Sequence, residues 1–331
     1  AIKKQLQDDG IEVHTFNGSY LFDPAEVRKQ DGGAYRVFTP FYRKGCLERS
    51  PEPRTPLPAP RNLRLDTNVA DADRQFDLIL PAYQWFEGGL RDWQPGESGA
   101  GRALRRFIDR GLADYPEGRD RPDLECVSFL SPHLHFGEVS PHQVRTAVLG
   151  AKGEVPNEAI DKFLSELGWR DFSAHLLLQA PDLPERNLQR KFDRFPWLAD
   201  DESLQAWQSG MTGYPIVDAG MRELWRTGYM HNRVRMIAAS FLVKNLLQDW
   251  RHGERWFWDH LLDADLASNS ASWQWVAGCG ADAAPYFRIF NPVTQGRRFD
   301  PDGAYVRRYV PEVAGMPNRY VHSPWEAPDE V

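Results

Sequence analysis

Asp263-Ala-Asp-Leu-Ala-Ser-Asn-Ser-Ala-Ser-Trp-Gln-Trp275 brings two carboxylates, an amide and two indoles together with a single large aliphatic residue, Leu266. A helix built only for packing would repeat Leu, Ile or Val at three- and four-residue spacing. Here Asp263, Asp265 and Asn269 supply hydrogen-bonding groups that need partners when buried, and Trp273 and Trp275 supply large polarizable rings. The stretch therefore points to a large, polar and aromatic ligand. Its alternating acids superficially resemble a calcium loop. An EF-hand, however, needs glycine at its sixth position and glutamate at its twelfth, where this chain has Ser268 and Gln274, so no metal is expected. The carboxylates suit donors on an organic ligand, a buried arginine such as Arg235, or the capping of a helix start.

Outward from this stretch the chain reads as helices. Leu104, Phe107, Ile108, Gly111 and Leu112 recur on one amphipathic face after Gly96, and Ile160, Phe163, Leu164, Leu167 and Leu176 predict a helix over 157–179 with Pro156 and Asn157 at its start. On that helix Glu166, Trp169 and Arg170 share a side able to hydrogen-bond and stack on something flat. Further helices are predicted over 217–226 and 231–248, the second placing Asn232 and Met236 one turn apart. Ser-Pro pairs at 131–132 and 140–141 mark two more helix starts. Upstream, Pro51, Pro53, Pro56, Pro58 and Pro60 crowd a stretch read as extended linker. The opening residues have helical composition, and residues 11–16 alternate apolar and polar as a short strand does.

The 331 residues can bury a large core, and no apolar run is long enough to cross a bilayer. Cys46, Cys126 and Cys279 form no CxxC pair, which favours neither a disulfide framework nor a zinc or iron–sulfur site and fits a reducing, cytoplasmic setting. His133 and His135 lack further ligands and are read as packing or surface groups. A net charge of −7 weakens nucleic-acid binding in general, but the cations are mostly Arg, suited to bidentate phosphate contacts within one local groove. Neither GxxxxGK[ST] nor a strand-linked GxGxxG occurs, and no nucleophile elbow is present, so a kinase, an ordinary dehydrogenase and a hydrolase of that type are disfavoured. Among 12 tryptophans most are expected to pack; Trp197, Trp250 and Trp273 stand out as a set of oxidisable indoles near helix ends.

Taken together, Trp169-Arg-Asp-Phe172, Met211-Thr-Gly-Tyr-Pro-Ile-Val-Asp-Ala-Gly-Met-Arg222, Met230-His-Asn-Arg-Val-Arg-Met236, the 263–275 stretch and Ala283-Ala-Pro-Tyr-Phe-Arg-Ile-Phe-Asn-Pro-Val-Thr-Gln-Gly296 resemble the DNA photolyase/cryptochrome family, most nearly its bacterial class I cyclobutane pyrimidine dimer photolyases. The resemblance implies a mainly α fold. Residues 1–22 would be the remnant of an N-terminal α/β Rossmann-like, antenna-binding domain, 23–95 a long interdomain linker, and 96–331 a helical FAD-binding and catalytic domain, the chain being truncated at both ends. A folate or deazaflavin antenna would then belong to the full-length parent only.

By the same resemblance, FAD contacts fall on Tyr115, Ser128, Ser131, Arg170, Arg235, Asp263, Asp265 and Asn269, with Asn269 near the reactive flavin nitrogen. Val127 and Phe129 replace the usual Thr and basic residue of the Ser-rich motif. Lesion binding falls on Glu166, Trp169, Asn232 and Met236, other DNA contacts on Arg119, Arg233 and Gln295, and electron transfer on Trp273, Trp250 and Trp197. The implied activity is light-driven repair of pyrimidine dimers in DNA by a cytoplasmic monomer. The competing readings are a cryptochrome that uses the same flavin site for signalling, and an inactive fragment. A (6-4) photolyase would show a histidine pair where Asn232 stands, and a plant-type cryptochrome an acid where Asn269 stands.

Overall fold

The computed structural model of the chain describes residues 2–58, 61–62, 93–283 and 288–328. Residues 59–60 and 63–92 of the predicted linker, and 284–287 of the last motif, lie outside the described residues. In chain order the helices are α1 (Ile2–Asp8), α2 (Phe38–Pro40), which runs into a π-helical turn (Phe41–Leu47), α3 (Glu97–Arg110), α4 (Tyr115–Gly118), α5 (Ser131–His135), α6 (Pro141–Gly150) and α7 (Asn157–Gln179). They continue with α8 (Asp201–Gln208), α9 (Pro215–Thr227), α10 (Asn232–Ser240) with a π-helical extension (Phe241–Asn245), α11 (Trp250–His260), α12 (Leu266–Ala277), α13 (Pro292–Phe299) and α14 (Ala304–Tyr309).

The predicted helix over 157–179 is α7, entered from Pro156 and buried through Ile160, Phe163, Leu164, Leu167, Phe172 and Leu176. Ser140 caps α6 in a capping box with Gln143, each side chain bonding the other's backbone N–H at 3.2 and 2.8 Å. Two buried polar groups of α7 pin the segment that enters the domain. Asp171 accepts the N–H groups of Leu21 and Phe22 at 3.2 and 2.9 Å, and His175 bonds the Pro24 carbonyl through Nδ1 while its Nε2 accepts the Tyr35 N–H. These contacts fix the neutral Nδ1–H tautomer of His175.

Two sequence expectations change here. Residues 11–16 form no strand; Ile11 and Phe16 are exposed, and the sole β-bridge among the described residues joins Lys152 and Val155. Alternation alone does not make a strand without a neighbouring ladder. Part of the stretch expected as extended linker is instead helical at 38–47, because Phe38, Phe41 and Cys46 bury against α7 and outweigh the nearby prolines.

One core gathers residues of the incoming segment with α3, α4, α6 and α7, and a second gathers α8 to α12 with α14. Helix α12 lies between them, with Ala271 against the first core and Trp273 and Val276 in the second. A helix packed on opposite sides has no reason to show one apolar stripe, which accounts for its unusual composition. It ends at Gly278, whose φ of +89° is the left-handed cap conformation that favours glycine.

In the second core, Glu223 of α9 accepts from the hydroxyls of Tyr305 (2.7 Å) and Tyr309 (3.3 Å) and from the His231 N–H. Burial pushes its carboxyl up to about 7, against the opposing pull of those hydrogen bonds. An acid raised in the folded state holds a proton there that the unfolded chain has released. Its contribution to stability is therefore full below about 4.5, the ordinary glutamate value, and is lost as pH rises through about 7. His231, which burial lowers to about 4, contributes with the opposite slope, losing stability as pH falls. A comparison with Glu223→Gln isolates the first effect: the wild-type melting temperature should decline relative to the variant as pH rises from about 5 to about 7. A wild type that gains on the variant over that range would contradict the assignment.

Candidate functional site

Helix α12 starts at its N-cap Asp265, whose Oδ1 accepts the Ser268 N–H at 2.8 Å. Asp265, Asn269 and Trp273 follow at four-residue spacing and so lie along one stripe. Asn269 is buried, and its Nδ2 donates to the Glu254 carbonyl of α11 at 2.9 Å. Ser270 donates to the Glu254 carboxylate at 3.1 Å. Trp273 packs on the backbone of α11 at Gly253, where a Cβ would sit 2.0 Å from its Cη2. The helix-capping reading and the buried-arginine reading of the acids are both realised, on different residues.

The arginine is Arg235 of α10. Its Nη2 donates to Asp263 Oδ2 at 2.9 Å, its Nε donates to the Met230 carbonyl at 2.7 Å, and its guanidinium lies 5.5 Å from the centre of the Tyr229 ring. Burial works against the Arg235 charge, but Asp263, with Tyr229 and Glu223 behind it, outweighs burial and holds the group above its ordinary value. The second carboxylate oxygen, Asp263 Oδ1, is buried and has no hydrogen-bond partner. A buried anionic acceptor without a donor is costly, and an N–H or O–H of a bound organic cofactor fits it.

The groups expected at the lesion and at DNA lie on or beside α4, α7, α10 and α13. Arg119 is paired with Glu166 of α7, its Nε lies 3.9 Å from Asp120, and Arg233 Nη2 donates to Asp120 at 2.6 Å. Arg119 also sits 5.5 Å from the ring centre of buried Tyr115. Arg233 lies over the Phe299 ring at 4.5 Å, and Gln295 stands one turn before Phe299 on α13. Asn232, exposed, is the first residue of α10, and Met236 follows one turn later, partly buried.

Glu166, Trp169 and Arg170, grouped by helix spacing, take different partners, Glu166 pairing with Arg119. The Trp169 ring stacks almost parallel on Phe38, 3.7 Å between centres. Arg170 turns instead to the Ser19 carbonyl (3.1 Å) and the Tyr20 ring. Burial, then Asp265, raise the Tyr20 hydroxyl, which puts Arg170, Tyr20 and Asp265 within one electrostatic neighbourhood. Ser128 Oγ accepts the Leu130 N–H at 3.3 Å, and Ser131 opens α5. Between them Phe129 has φ +54°, a left-handed conformation unusual for an aromatic residue, with its ring 5.0 Å from Tyr229.

The three indoles differ in depth. Trp273 and Trp250 are buried, whereas Trp197 is partly buried and lines a cleft of about 330 Å³ with Asn187, Asp193, Asp249 and Arg251. Trp250, three residues before Gly253 on α11, donates from Nε1 to Asn187 Oδ1 at 2.9 Å. Asn187 thus touches the buried indole and lines the cleft of the outer one. Sequence reasoning missed Phe38, Asp120, Tyr229, Gly253 and Glu254. Asp120 and Tyr229 directly adjoin residues that the motifs did single out; the other three carried no local signal.

The mainly helical fold that holds this site has solved counterparts among photolyases and cryptochromes. The crystal structure of a bacterial class III photolyase from Agrobacterium tumefaciens matches with a TM-score of 0.93 at 49% sequence identity, covering 99% of this chain and 68% of that one. A cryptochrome from Synechocystis sp. PCC6803 matches with a TM-score of 0.82 at 32% identity, again covering 99% of this chain and 68% of the other.

Residues 163–331 match the family described as the FAD binding domain of DNA photolyase, and residues 1–62 match the one described as DNA photolyase. The chain belongs to the DNA photolyase family. Among curated relatives, a deoxyribodipyrimidine photo-lyase of Agrobacterium fabrum is 49% identical over 333 aligned residues, covering 100% of this chain and 69% of that protein. The motifs resembled class I, whereas the solved relative at 49% identity is a class III photolyase. Among the described residues no helix is long and apolar enough to cross a membrane.

Proposed function

We propose that this chain repairs cyclobutane pyrimidine dimers in DNA, using FAD and light. The unmatched Asp263 Oδ1 beside Arg235, in a chain 49% identical to a deoxyribodipyrimidine photo-lyase, carries the reading. In its reduced and light-excited form, bound FAD supplies the electron that opens the cyclobutane ring and takes it back. Residues 1–22 are read as the end of an α/β domain, 23–95 as linker and 96–331 as the helical catalytic domain. The three unpaired cysteines accord with a reducing, cytoplasmic setting, and the active unit is read as a monomer.

Arg235 and Asp263 would hold the cofactor's polar edge, with Asp263 Oδ1 as acceptor. Asn269, its Nδ2 engaged by the Glu254 carbonyl, would be held in one orientation and would offer its Oδ1 to the cofactor's reactive edge. Tyr115, Ser128, Ser131, Arg170 and Asp265 complete the cofactor set. Trp169, backed by Phe38, is a rigid stacking platform for an extruded dimer, while Glu166 and Asn232 hydrogen-bond its edges and Met236 packs beside it. Arg119, Arg233 and Gln295 contact the surrounding DNA. Because Glu166 and Asp120 already offset the two arginines, stacking and hydrogen bonding contribute more to discrimination than phosphate attraction does.

A dimer-containing duplex should bind more tightly than the same undamaged duplex, and Trp169→Ala should remove about tenfold of that preference, as loss of one base–aromatic stack implies. The comparison is made by fluorescence anisotropy with flavin-loaded protein. A cryptochrome-type photoreceptor is the second reading, favoured by the Synechocystis match. It would use the same cofactor residues without discriminating dimers, so equal affinity for the two duplexes would replace the first reading with the second.

A further inference from the structure

Asn187 is 2% exposed, touches one indole of the proposed electron route and borders the cleft of another. Its Oδ1 accepts the Nε1–H of Trp250 at 2.9 Å, and its Nδ2 donates to Asp193 Oδ1 at 2.8 Å. These two partners settle which way the amide faces, because an indole N–H only donates and a carboxylate only accepts. The backbone around Asn187 is tied to α12 beside Trp273. Gln274 Oε1 accepts the Leu188 N–H at 2.8 Å, and Gln274 Nε2 donates to the Leu183 and Arg186 carbonyls at 2.7 and 2.8 Å. Asn187 is therefore held by backbone and side chain alike, at a position with no part in the flavin or lesion sites. Trp250 is fully buried, so its N–H meets this amide and not solvent.

We propose, on the reading of Trp273, Trp250 and Trp197 as the flavin's electron supply, that Asn187 keeps the indole proton on Trp250 while that ring is oxidised, so that the proton departs from Trp197 instead. One electron leaves Trp273 for the light-excited oxidised flavin, Trp250 refills Trp273, and Trp197 refills Trp250. Losing an electron makes an indole N–H strongly acidic. A base in contact with Trp250 would take that proton and leave a neutral radical, which returns to the closed-shell indole only by gaining an electron and a proton together; the hole would then stop short of the surface. The amide oxygen accepts a hydrogen bond but is too weak a base to take the proton, and it keeps the Asp193 carboxylate, a far stronger base, one group removed. Trp197, partly buried at the cleft, releases its Nε1 proton to water there. Trp273 and Trp250 are restored, one electron has passed to the flavin and one proton to solvent. Asn187 is thus a positioning residue, acting through Trp250.

Flash photolysis of the FAD-loaded full chain separates the cation and neutral radicals of tryptophan by their visible absorption bands. With Trp197→Phe the hole stops at Trp250, beside the native amide. There it should stay a cation until it recombines, at the same rate in light and heavy water. Adding Asn187→Asp with Asp193→Asn exchanges the two side chains, keeps the net charge and both hydrogen bonds, and sets a carboxylate on the indole. The neutral radical should then form at Trp250, more slowly in heavy water, and outlive the cation severalfold. A neutral radical already present with Trp197→Phe alone, or a cation of unchanged lifetime after the exchange, would overturn the proposal. A wild type that yields no tryptophan radical would refute the electron route beneath it as well. The first comparison leaves position 187 unaltered, so it decides the matter even where the exchanged chain does not fold. In the dark, the Trp250 indole N–H resonance, identified by its loss in Trp250→Phe, should move downfield in the exchanged chain, because a carboxylate accepts the bond more strongly than an amide does. An unmoved resonance would remove Asn187 as its partner.

Discussion

Trp273→Phe should photoreduce its oxidised flavin about tenfold or more slowly than wild type, and should repair at the wild-type rate once the flavin has been reduced chemically. Phenylalanine fills most of the indole's space but is much harder to oxidise, so the substitution tests electron supply with little change in packing. The route under test joins two buried indoles to one that meets solvent. Trp273 is 2% exposed, and it packs on Gly253 of the helix whose first residue is Trp250. Trp250 is itself buried, with the Arg251 guanidinium 4.7 Å from its ring centre and Asn187 on its Nε1. Trp197 then meets solvent in the cleft that Asn187 also lines. Stopped illumination with absorbance at the flavin band gives both rates. Equal photoreduction in the two proteins would remove Trp273 from the route.

Gly253→Ala should be the most disruptive single methyl addition at this site. A Cβ there would lie 2.0, 2.5 and 2.6 Å from three atoms of the Trp273 ring, well inside contact distance. The indole is buried and already in contact with two further rings, Phe257 at 5.0 Å and Trp207 at 6.2 Å between ring centres. Overpacking of this kind costs about 1 to 3 kcal/mol, and it forces α11 and α12 apart where Asn269 bonds the Glu254 carbonyl. The variant should melt below wild type and photoreduce more slowly, because the same displacement moves Trp273. A melting temperature at the wild-type value would show that the two helices do not approach as closely as described.

How much of this was legible depended on whether a residue's partner lay nearby in sequence. The limits of α7 followed from apolar spacing and Pro156, and the Ser140–Gln143 capping box and the cap at Asp265 are short-range patterns. The short helix at 38–47 was not legible, since its stabilising contacts are with α7, more than a hundred residues away. Residues 11–16 show the converse: alternation is visible in sequence, but a strand exists only beside another. At the site, the motifs led to Arg235, Asp263 and Asn269, yet the division of labour between Asp263 and Asp265 required the fold. Arg170 read as a neighbour of Trp169 because helix spacing fixes where a side chain leaves the backbone; Ser19 and Tyr20 decide where this one goes.

The central claim is light-driven dimer reversal. Flavin-loaded, chemically reduced protein is mixed with an oligonucleotide carrying one thymine dimer, and dimer content is followed under near-UV or blue light and in matched darkness. Dimers should be lost over many turnovers in the light and not in the dark; dimer content that stays equal in light and dark would rule out light-driven repair.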